Sequence, residues 1–507
     1  MSAERLAADF GNLADIVREI AREQPAHPAL VQGEQMLDYA SFDAAVDRVG
    51  AALQQQGVAP RDAVAICAGT SIEYLVVFLA CLRIGAAAAL ISPYAGAATI
   101  ARMVADSRAR MSFVDAPTAR ALGEAGIELA CDMLAIEDLP SLGTAGTHPA
   151  PVAVEPGWPF NIIYSSGTTG EPKGIVQPHS MRWTHLQRGP IYGYDTNAIT
   201  LVSTPLYSNT TLVSVFPTLG LGGTVVLMPK FDATEFLRLA ERHRVTHTML
   251  VPVQYRRIMA EPGFSRFDLG AFRAKFSTSA PFAAALKKDV LARWPGGLVE
   301  LYGMTEGGGT CVLAAHAHPD KLHTVGIPAP NSDIRIIDDE GRELPRGESG
   351  EIVGRSPAMM TGYHRQPELT RKALWHDAEG RPFIRTGDVG RFDADGFLVL
   401  VDRKKDMIIS GGFNVFSSDL EAVVARHPEV ADVAVVGVHS DRWGETPVAF
   451  VVPRRGVVLD TPALMSWANA QLGKVQRLSD VRVVEELPRS PIGKVLKREL
   501  RDAYRPA

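Results

Sequence analysis

The sequence predicts an α/β protein with a large N-terminal domain, built of layered βα subdomains and a β-rich subdomain, followed by a small α+β C-terminal domain. Three observations predict it. Residues 10–140 alternate helical periodicity with short apolar runs such as Ala63–Cys67, the rhythm of βα units around a largely parallel sheet. After Asp333 the pattern changes to short strands and tight turns. At 507 residues the chain also exceeds one ordinary core, at about 150 residues per domain.

The elements can be justified in order. Residues 74–91 are apolar, but Arg83 and Gly85 split them into a helix-like half and an Ala-rich half, so a buried helix feeding a buried strand is expected rather than a membrane span. Residues 140–159 form a Pro/Gly/Ala/Thr linker, and 160–164 read as a short buried strand. A second βα rhythm follows, with strands at 199–204, 223–228 and 246–251 around a helix at 233–243. Strands at 334–337 and 350–353 precede a hairpin tipped by Asp393-Ala-Asp-Gly396. Beyond it, strands are expected near 431–438, 448–452 and 481–484. Ser418-x-x-Glu421 reads as a capping box, and Thr461-Pro462 as a cap followed by Pro at the first helical position. The boundary is placed at 402–405, giving domains 1–402 and 403–507.

Composition narrows the function classes. Hydrophobic content of 46% and charged content of 21% fit a globular protein, and a net charge of −5 gives no electrostatic footprint for nucleic acid. Cys67, Cys81, Cys131 and Cys311 lack any CxxC spacing, and no signal peptide is apparent, so a cytoplasmic protein is expected. His316, His318 and His323 cluster, and His243 and His247 are near one another, yet no acidic pattern completes a metal set.

The most informative stretch is Tyr164-Ser-Ser-Gly-Thr-Thr-Gly-Glu-Pro-Lys-Gly174. Gly167, Gly170 and Gly174 let backbone N–H groups approach a ligand; Ser165, Ser166, Thr168 and Thr169 add hydroxyls, and Lys173 adds a cation. Such a loop suits a polyphosphate. It is not a Walker A loop, because Pro172 precedes Lys173 and Gly174 follows it.

Together with Tyr302-Gly-Met-Thr-Glu306, Arg385-Thr-Gly-Asp388, the run 402–412 and Ser490-Pro-Ile-Gly-Lys494, this loop resembles the signatures of the adenylate-forming superfamily: acyl-CoA synthetases, adenylation domains and beetle luciferases. The resemblance spans roughly residues 10–500 and implies a mobile C-terminal domain. It also implies ATP, Mg²⁺ and the cosubstrate CoA, with Glu306 as metal carboxylate and Thr305 as donor to the α-phosphate. By the same resemblance Tyr302 and Gly303 border the adenine, opposite Ser279, Ala280 and Pro281. Asp388 would hold the ribose hydroxyls with Arg403 as helper, Lys405 would be the hinge, and Lys494 the mobile lysine bridging carboxylate and α-phosphate. Gly411, Gly412 and Lys230 fall to CoA.

The acyl pocket is assigned to Tyr207, Ser208, Thr210, Thr211, Thr278, Leu301, Gly308 and Gly309. Ser208 stands where many members carry His, and Ser417 where Pro is common, the latter read as structural. Malonate-activating relatives carry Arg at the position of Leu301, which cannot pair a second carboxylate, so a monocarboxylic acid, fatty or hydroxycinnamate-like, is expected. The resemblance thus implies an ATP-dependent acid:CoA ligase working through an acyl-AMP. The alternatives are a stand-alone enzyme loading a carrier protein, a luciferase-type oxygenase and a non-catalytic nucleotide-binding regulator. The implied partners are a carboxylic acid, ATP and CoA, with neither nucleic acid nor a transmembrane segment and with a homo-oligomer allowed.

Overall fold

A computed structural model describes residues 6–165, 173–410, 413–473, 476–490 and 493–505. The chain packs into two units, one of residues 1–322, 328–333 and 355–384, the other of residues 323–327, 334–354 and 385–507.

In the first unit a seven-stranded sheet runs Gly362–Tyr363, Lys173–Pro178, Pro159–Ser165, Ala87–Leu90, Ala63–Cys67, Met111–Val114, Asp132–Ala135. From Pro159–Ser165 onward in that order the neighbours are parallel, and the first two pairs are antiparallel. A second sheet places Cys311–Ala314, Gly297–Tyr302, Ala274–Ser277, His247–Leu250, Ile199–Val202 and Thr224–Leu227 side by side. Its strands from Gly297–Tyr302 to Thr224–Leu227 are parallel, as the alternation with helices requires. The two sheets share one core. Phe78, Phe160 and Phe216 meet there with ring centroids 5.2–5.6 Å apart, locking the helix Ile72–Arg83 and the helix Asn209–Gly220 onto the strand Pro159–Ser165.

In the second unit Asp333–Ile337, Gly350–Arg355 and Pro382–Phe392 lie side by side in that order, and Pro382–Phe392 pairs antiparallel with Leu398–Arg403 as the expected hairpin. A further sheet carries Phe413–Val415, Ile408–Ser410, Gly444–Pro453 and Val430–Ser440, with Asp480–Val483 alongside in parallel.

Two helix starts differ from expectation. Ser418 and Glu421 form no capping box: the helix is Ser417–Val424 with Phe416 at its N-cap. The Ser418 hydroxyl donates instead to Val401 O, and Glu421 accepts from Val435 N at 2.8 Å. Tertiary partners outcompete the local cap. The next helix is capped one residue earlier than read, by Asp460 accepting from Ala463 N at 3.0 Å, because its carboxylate is a better acceptor than the Thr461 hydroxyl.

Residues 74–91 resolve into the helix Ile72–Arg83 and the strand Ala87–Leu90, and no helix among the described residues is long and apolar enough to cross a membrane. Arg83 itself is buried. Its guanidinium donates to Asp47 Oδ1, to Asp43 Oδ1 at 2.6 Å and to Ala14 O at 2.9 Å. Asp47 also takes Arg18 and, at 2.7 Å, His148 Nδ1. Burial alone would raise the Asp47 carboxyl, but His148, Arg83 and Arg18 outweigh it and hold the group below its ordinary value.

A lowered carboxyl pKa stabilises the fold above the unfolded value of about 3.9, and that contribution is lost as pH falls through the folded value. Asp47→Asn should therefore cost about 3 kcal/mol at neutral pH, because it strips a buried cation of a partner. The gap to the parent should narrow below about pH 3. Urea unfolding at both pH values checks this.

Candidate active site

The first unit presents its chemistry at the end of an antiparallel pair. Strands Pro159–Ser165 and Lys173–Pro178 flank residues 166–172, with Tyr164 opposite Gly174 and Ser165 opposite Lys173. Ser166, Gly167, Thr168, Thr169 and Gly170 lie outside the described residues. Gly174 is held by His364 N, which donates to its carbonyl at 2.6 Å, and Tyr363 pairs with Ile175.

That pairing delivers Tyr363 to the site. Its hydroxyl donates to Glu306 Oε1 at 2.9 Å, and Lys173 Nζ lies 5.9 Å from its ring centroid. Burial first, and the Glu306 carboxylate second, push the phenol well above its ordinary value, so Tyr363 stays a neutral donor. A cation, a phenol and a carboxylate are thus gathered beside the loop.

Thr305 and Glu306 follow the strand Gly297–Tyr302, whose last residue pairs with Cys311. The Thr305 carbonyl accepts from Gln177 Nε2 at 2.6 Å, and Met360 N donates to Glu306 O at 2.8 Å. Gly307 turns with φ +79°, and a Cβ there would lie 2.0 Å from Ala358 O. Only glycine fits that approach.

The residues read as adenine wall and acyl pocket meet at one contact. Ser279, at φ +78° just after the strand Ala274–Ser277, lies with its Oγ 2.6 Å from Thr210 Oγ1 on the helix Asn209–Gly220. A non-glycine residue in the left-handed region is held there by its surroundings. Thr278 and Ala280 flank it half-buried, whereas Pro281 and Gly303 are exposed. Ser208 is the N-cap of that helix without a side-chain cap bond. Thr211 is fully buried, with Oγ1 2.6 Å from Pro205 O and 2.8 Å from Thr204 Oγ1, so its hydroxyl serves its own turn. Tyr207 and Leu301 are half-buried against the main core, and Gly308 and Gly309 are buried. Lys230 lies exposed beyond the strand Thr224–Leu227.

The second unit holds the other candidates. Asp388 and Arg403 are register partners across the hairpin, and Arg403 Nε stands 3.0 Å from Asp388 Oδ1. Arg385, in the same motif, pairs with Glu351 at 2.5 Å, and Lys404 reaches Asp339 at 2.8 Å. Lys405 is exposed in the turn between Leu398–Arg403 and Ile408–Ser410. Gly411 and Gly412 lie outside the described residues.

Lys494 is half-buried, with its N–H donating to Ser490 Oγ at 3.2 Å and its carbonyl accepting from Ser490 N at 2.8 Å. Arg489 braces that loop by donating to Gly493 O and pairing with Asp432, both at 2.7 Å. Nearby, Ser417 is buried rather than surface-facing. Its hydroxyl donates to Asp402 Oδ2 at 2.9 Å and accepts from Lys497 Nζ at 2.6 Å, and Lys497 also pairs with Glu421 at 2.8 Å. Among the described residues no group of three or more His, Cys, Asp or Glu is placed to hold a metal.

The sequence pattern of AMP-binding enzymes matches residues 17–364, and that of their C-terminal domain matches residues 419–494. The chain belongs to the AMP-binding enzyme family. It is 32% identical over 505 residues to an indoleacetate–CoA ligase of Aromatoleum aromaticum, covering 96% of this chain and 97% of that one. It is 31% identical to the fatty acid–[acyl-carrier-protein] ligase ScoC of Streptomyces coeruleorubidus, covering 96% and 95%. Among solved structures it resembles ATP-bound MatB from Rhodopseudomonas palustris, with a TM-score of 0.87, 27% identity, and coverage of 97% and 99%. This AMP-binding enzyme is therefore an adenylate-forming ligase of the AMP-forming acid–CoA ligase family, with the α/β fold of that family.

Several site neighbours were not singled out in the sequence: Tyr363, Gln177, Asn161, Arg182 and Gly307. Asn161 was the one visible signal, a polar residue inside an apolar run. Gly307→Ala should destabilise the enzyme by about 1–3 kcal/mol, combining left-handed backbone strain with the Ala358 clash. Thermal unfolding checks it, with Gly303→Ala, at an exposed position whose nearest neighbour would be 3.6 Å from a Cβ, as the mild control.

Proposed function

We propose that this ligase converts a monocarboxylic acid with an apolar or aromatic body into its CoA thioester in two steps. The substrate carboxylate oxygen attacks the α-phosphorus of ATP, forming acyl-AMP as pyrophosphate leaves. The CoA sulfur then attacks the acyl carbon, forming the thioester as AMP leaves and the thiol proton is lost.

The observation that carries this reading is the grouping of Lys173, Tyr363 and Glu306 beside the loop 166–172. Two anions must meet in the first step, so the site needs cations and donors near the phosphates. Lys173 supplies charge there, and the Thr305 hydroxyl and the loop supply donors. Glu306 offers the hard oxygen ligand that Mg²⁺ accepts alongside phosphate and water, and its second oxygen is not the one bound to Tyr363. Bound Mg²⁺ would neutralise charge on the phosphate oxygens.

Asp388 offers two acceptors to the ribose hydroxyls, steadied by Arg403. Lys494 bridges carboxylate and phosphate in adenylation. A turn at Lys405, near the working division between residues 402 and 403, then replaces it with Gly411 and Gly412, and Lys230 meets CoA. Leu301 leaves a second carboxylate unpaired.

The likeness to a fatty acid–[acyl-carrier-protein] ligase favours a second reading, in which the acyl group passes to the thiol of a carrier protein.

The test is incubation with ATP, Mg²⁺, a panel of acids and either CoA or a carrier protein, with products identified by mass spectrometry. Aryl or fatty acyl-CoA should form, and malonate and succinate should be poor substrates, since burying an unpaired carboxylate costs several kcal/mol. Efficient use of dicarboxylates would sink the pocket assignment, and thioester on the carrier alone would favour the second reading. Acid-dependent ATP–pyrophosphate exchange separates either ligase from a mere nucleotide binder.

Lys494→Ala should cut that exchange by on the order of 10²–10³. Thioester formation from prepared acyl-AMP and CoA should stay within about tenfold of the parent. An equal fall in both half-reactions would make the lysine structural.

A further inference from the structure

The strands that flank residues 166–172 hold a buried polar cluster that the proposed chemistry leaves unused. Asn161 and Gln177 are fully buried on the two strands flanking residues 166–172, and Arg182 is 3% exposed on the helix His179–Gln187. Polar groups this deep are costly unless hydrogen-bonded, and a buried cation is costlier still.

The cluster meets that demand through side-chain amides. Arg182 Nη2 donates to Asn161 Oδ1 at 3.1 Å and to Gln177 Oε1, and Asn161 Nδ2 donates to Gln177 Oε1 at 3.0 Å. The guanidinium also stands 5.7 Å and 5.9 Å from the ring centroids of Phe160 and Phe216. Among the described residues no carboxylate pairs with it, and its Nη1 has no hydrogen-bond partner. Burial lowers Arg182 to about 9, so it remains a cation at neutral pH. An apolar side chain would pack between two phenyl rings at lower cost.

The arrangement fixes the direction of one amide. Two donors converge on Gln177 Oε1, so Nε2 must point the other way. There it has two hydrogens and two acceptors, Thr305 O at 2.6 Å and Asn209 Oδ1 at 3.3 Å. Asn209 is the first residue of the helix that carries Thr210, and Thr305 immediately precedes Glu306. One side chain thus ties the phosphate-loop strand to the Thr305–Glu306 peptide and to the helix assigned to the acid.

We infer that Gln177 is a positioning residue for adenylation, an amide oriented by Arg182 and Asn161 that pins the Thr305 carbonyl and so sets the peptide carrying Glu306. The inference rests on the adenylation reading for its kinetic consequence, whereas the pinning itself can be measured without substrate.

Gln177→Glu separates positioning from stability. The new carboxylate still accepts from Arg182 and Asn161, adding an ion pair to the core, but it has no N–H for Thr305. The variant should melt within a few degrees of the parent. Two changes are expected together: faster amide hydrogen exchange in the segment 305–309, and a fall on the order of tenfold in the kcat of ATP–pyrophosphate exchange, with KM for ATP and acid changed little. A variant with parental kcat, parental amide protection, or only one of the two changes overturns the inference.

Should Gln177→Glu fail to fold, Gln177→Met combined with Arg182→Met removes donor and cation together in an apolar form. It should show the same pair of changes, and their absence again overturns the inference. A parent without acid-dependent exchange would sink the adenylation reading instead, while the protection of 305–309 would still report whether Gln177 pins Thr305.

Discussion

The pairing of Pro159–Ser165 with Lys173–Pro178 is the constraint on which the first unit's site depends. It turns a parallel sheet antiparallel at one side, and so sets both flanks of the glycine-rich segment in register. The same strand carries Lys173 at its start, receives Tyr363 through its other edge and sends Gln177 inward to Thr305. Backbone hydrogen bonds along that pair fix the separation of groups from three distant parts of the chain. The ring cluster of Phe78, Phe160 and Phe216 holds the pair against the core, so apolar burial supplies the rigidity that the polar groups need.

Much of the fold was legible because it is written locally. Short apolar runs bounded by Gly, Pro and Asp gave strands close to those read, as with Ile199–Val202 and Thr224–Leu227, whereas the strand read at 448–452 begins four residues earlier, at Gly444. Arg83 and Gly85 correctly broke the long apolar stretch, although the reason Arg83 is tolerated there, three acceptors brought in from Asp47, Asp43 and Ala14, is invisible in sequence. Helix caps failed where a side chain had a better partner elsewhere. Ser418 and Glu421 have capping-box spacing, yet each is claimed by a strand distant along the chain.

The site divides along the same line. Lys173, Thr305, Glu306, Asp388 and Lys494 sit in contiguous motifs, so a resemblance could carry them. Their supports cannot be read that way. Tyr363 is 57 residues from Glu306, and Gln177 is 128 residues from Thr305. A glutamine near the end of a strand signals nothing until the strand beside it, the helix below it and the turn ahead of it are placed. Ser417 was noticed as a departure, but its use became apparent only with Asp402 and Lys497 around it.

Those bonds at Ser417 bear on the chain around Lys405, all of it within the second unit. Asp402 and Val401 precede Lys405, while their partners Ser417 and Ser418 follow it, so the hydrogen bonds straddle the position where a swing is proposed. Any rotation of the chain at Lys405 that separates the two sides has to release them. At about 1 kcal/mol net apiece, the two hydroxyl bonds alone weight the latched arrangement by roughly thirtyfold. On the proposed swing the segment would act less as a free joint than as a detent, held in part by the Ser417 hydroxyl, which a proline at that position would lack. Were that swing part of the reaction, its tempo could be set at Ser417, apart from the residues assigned to nucleotide and acid.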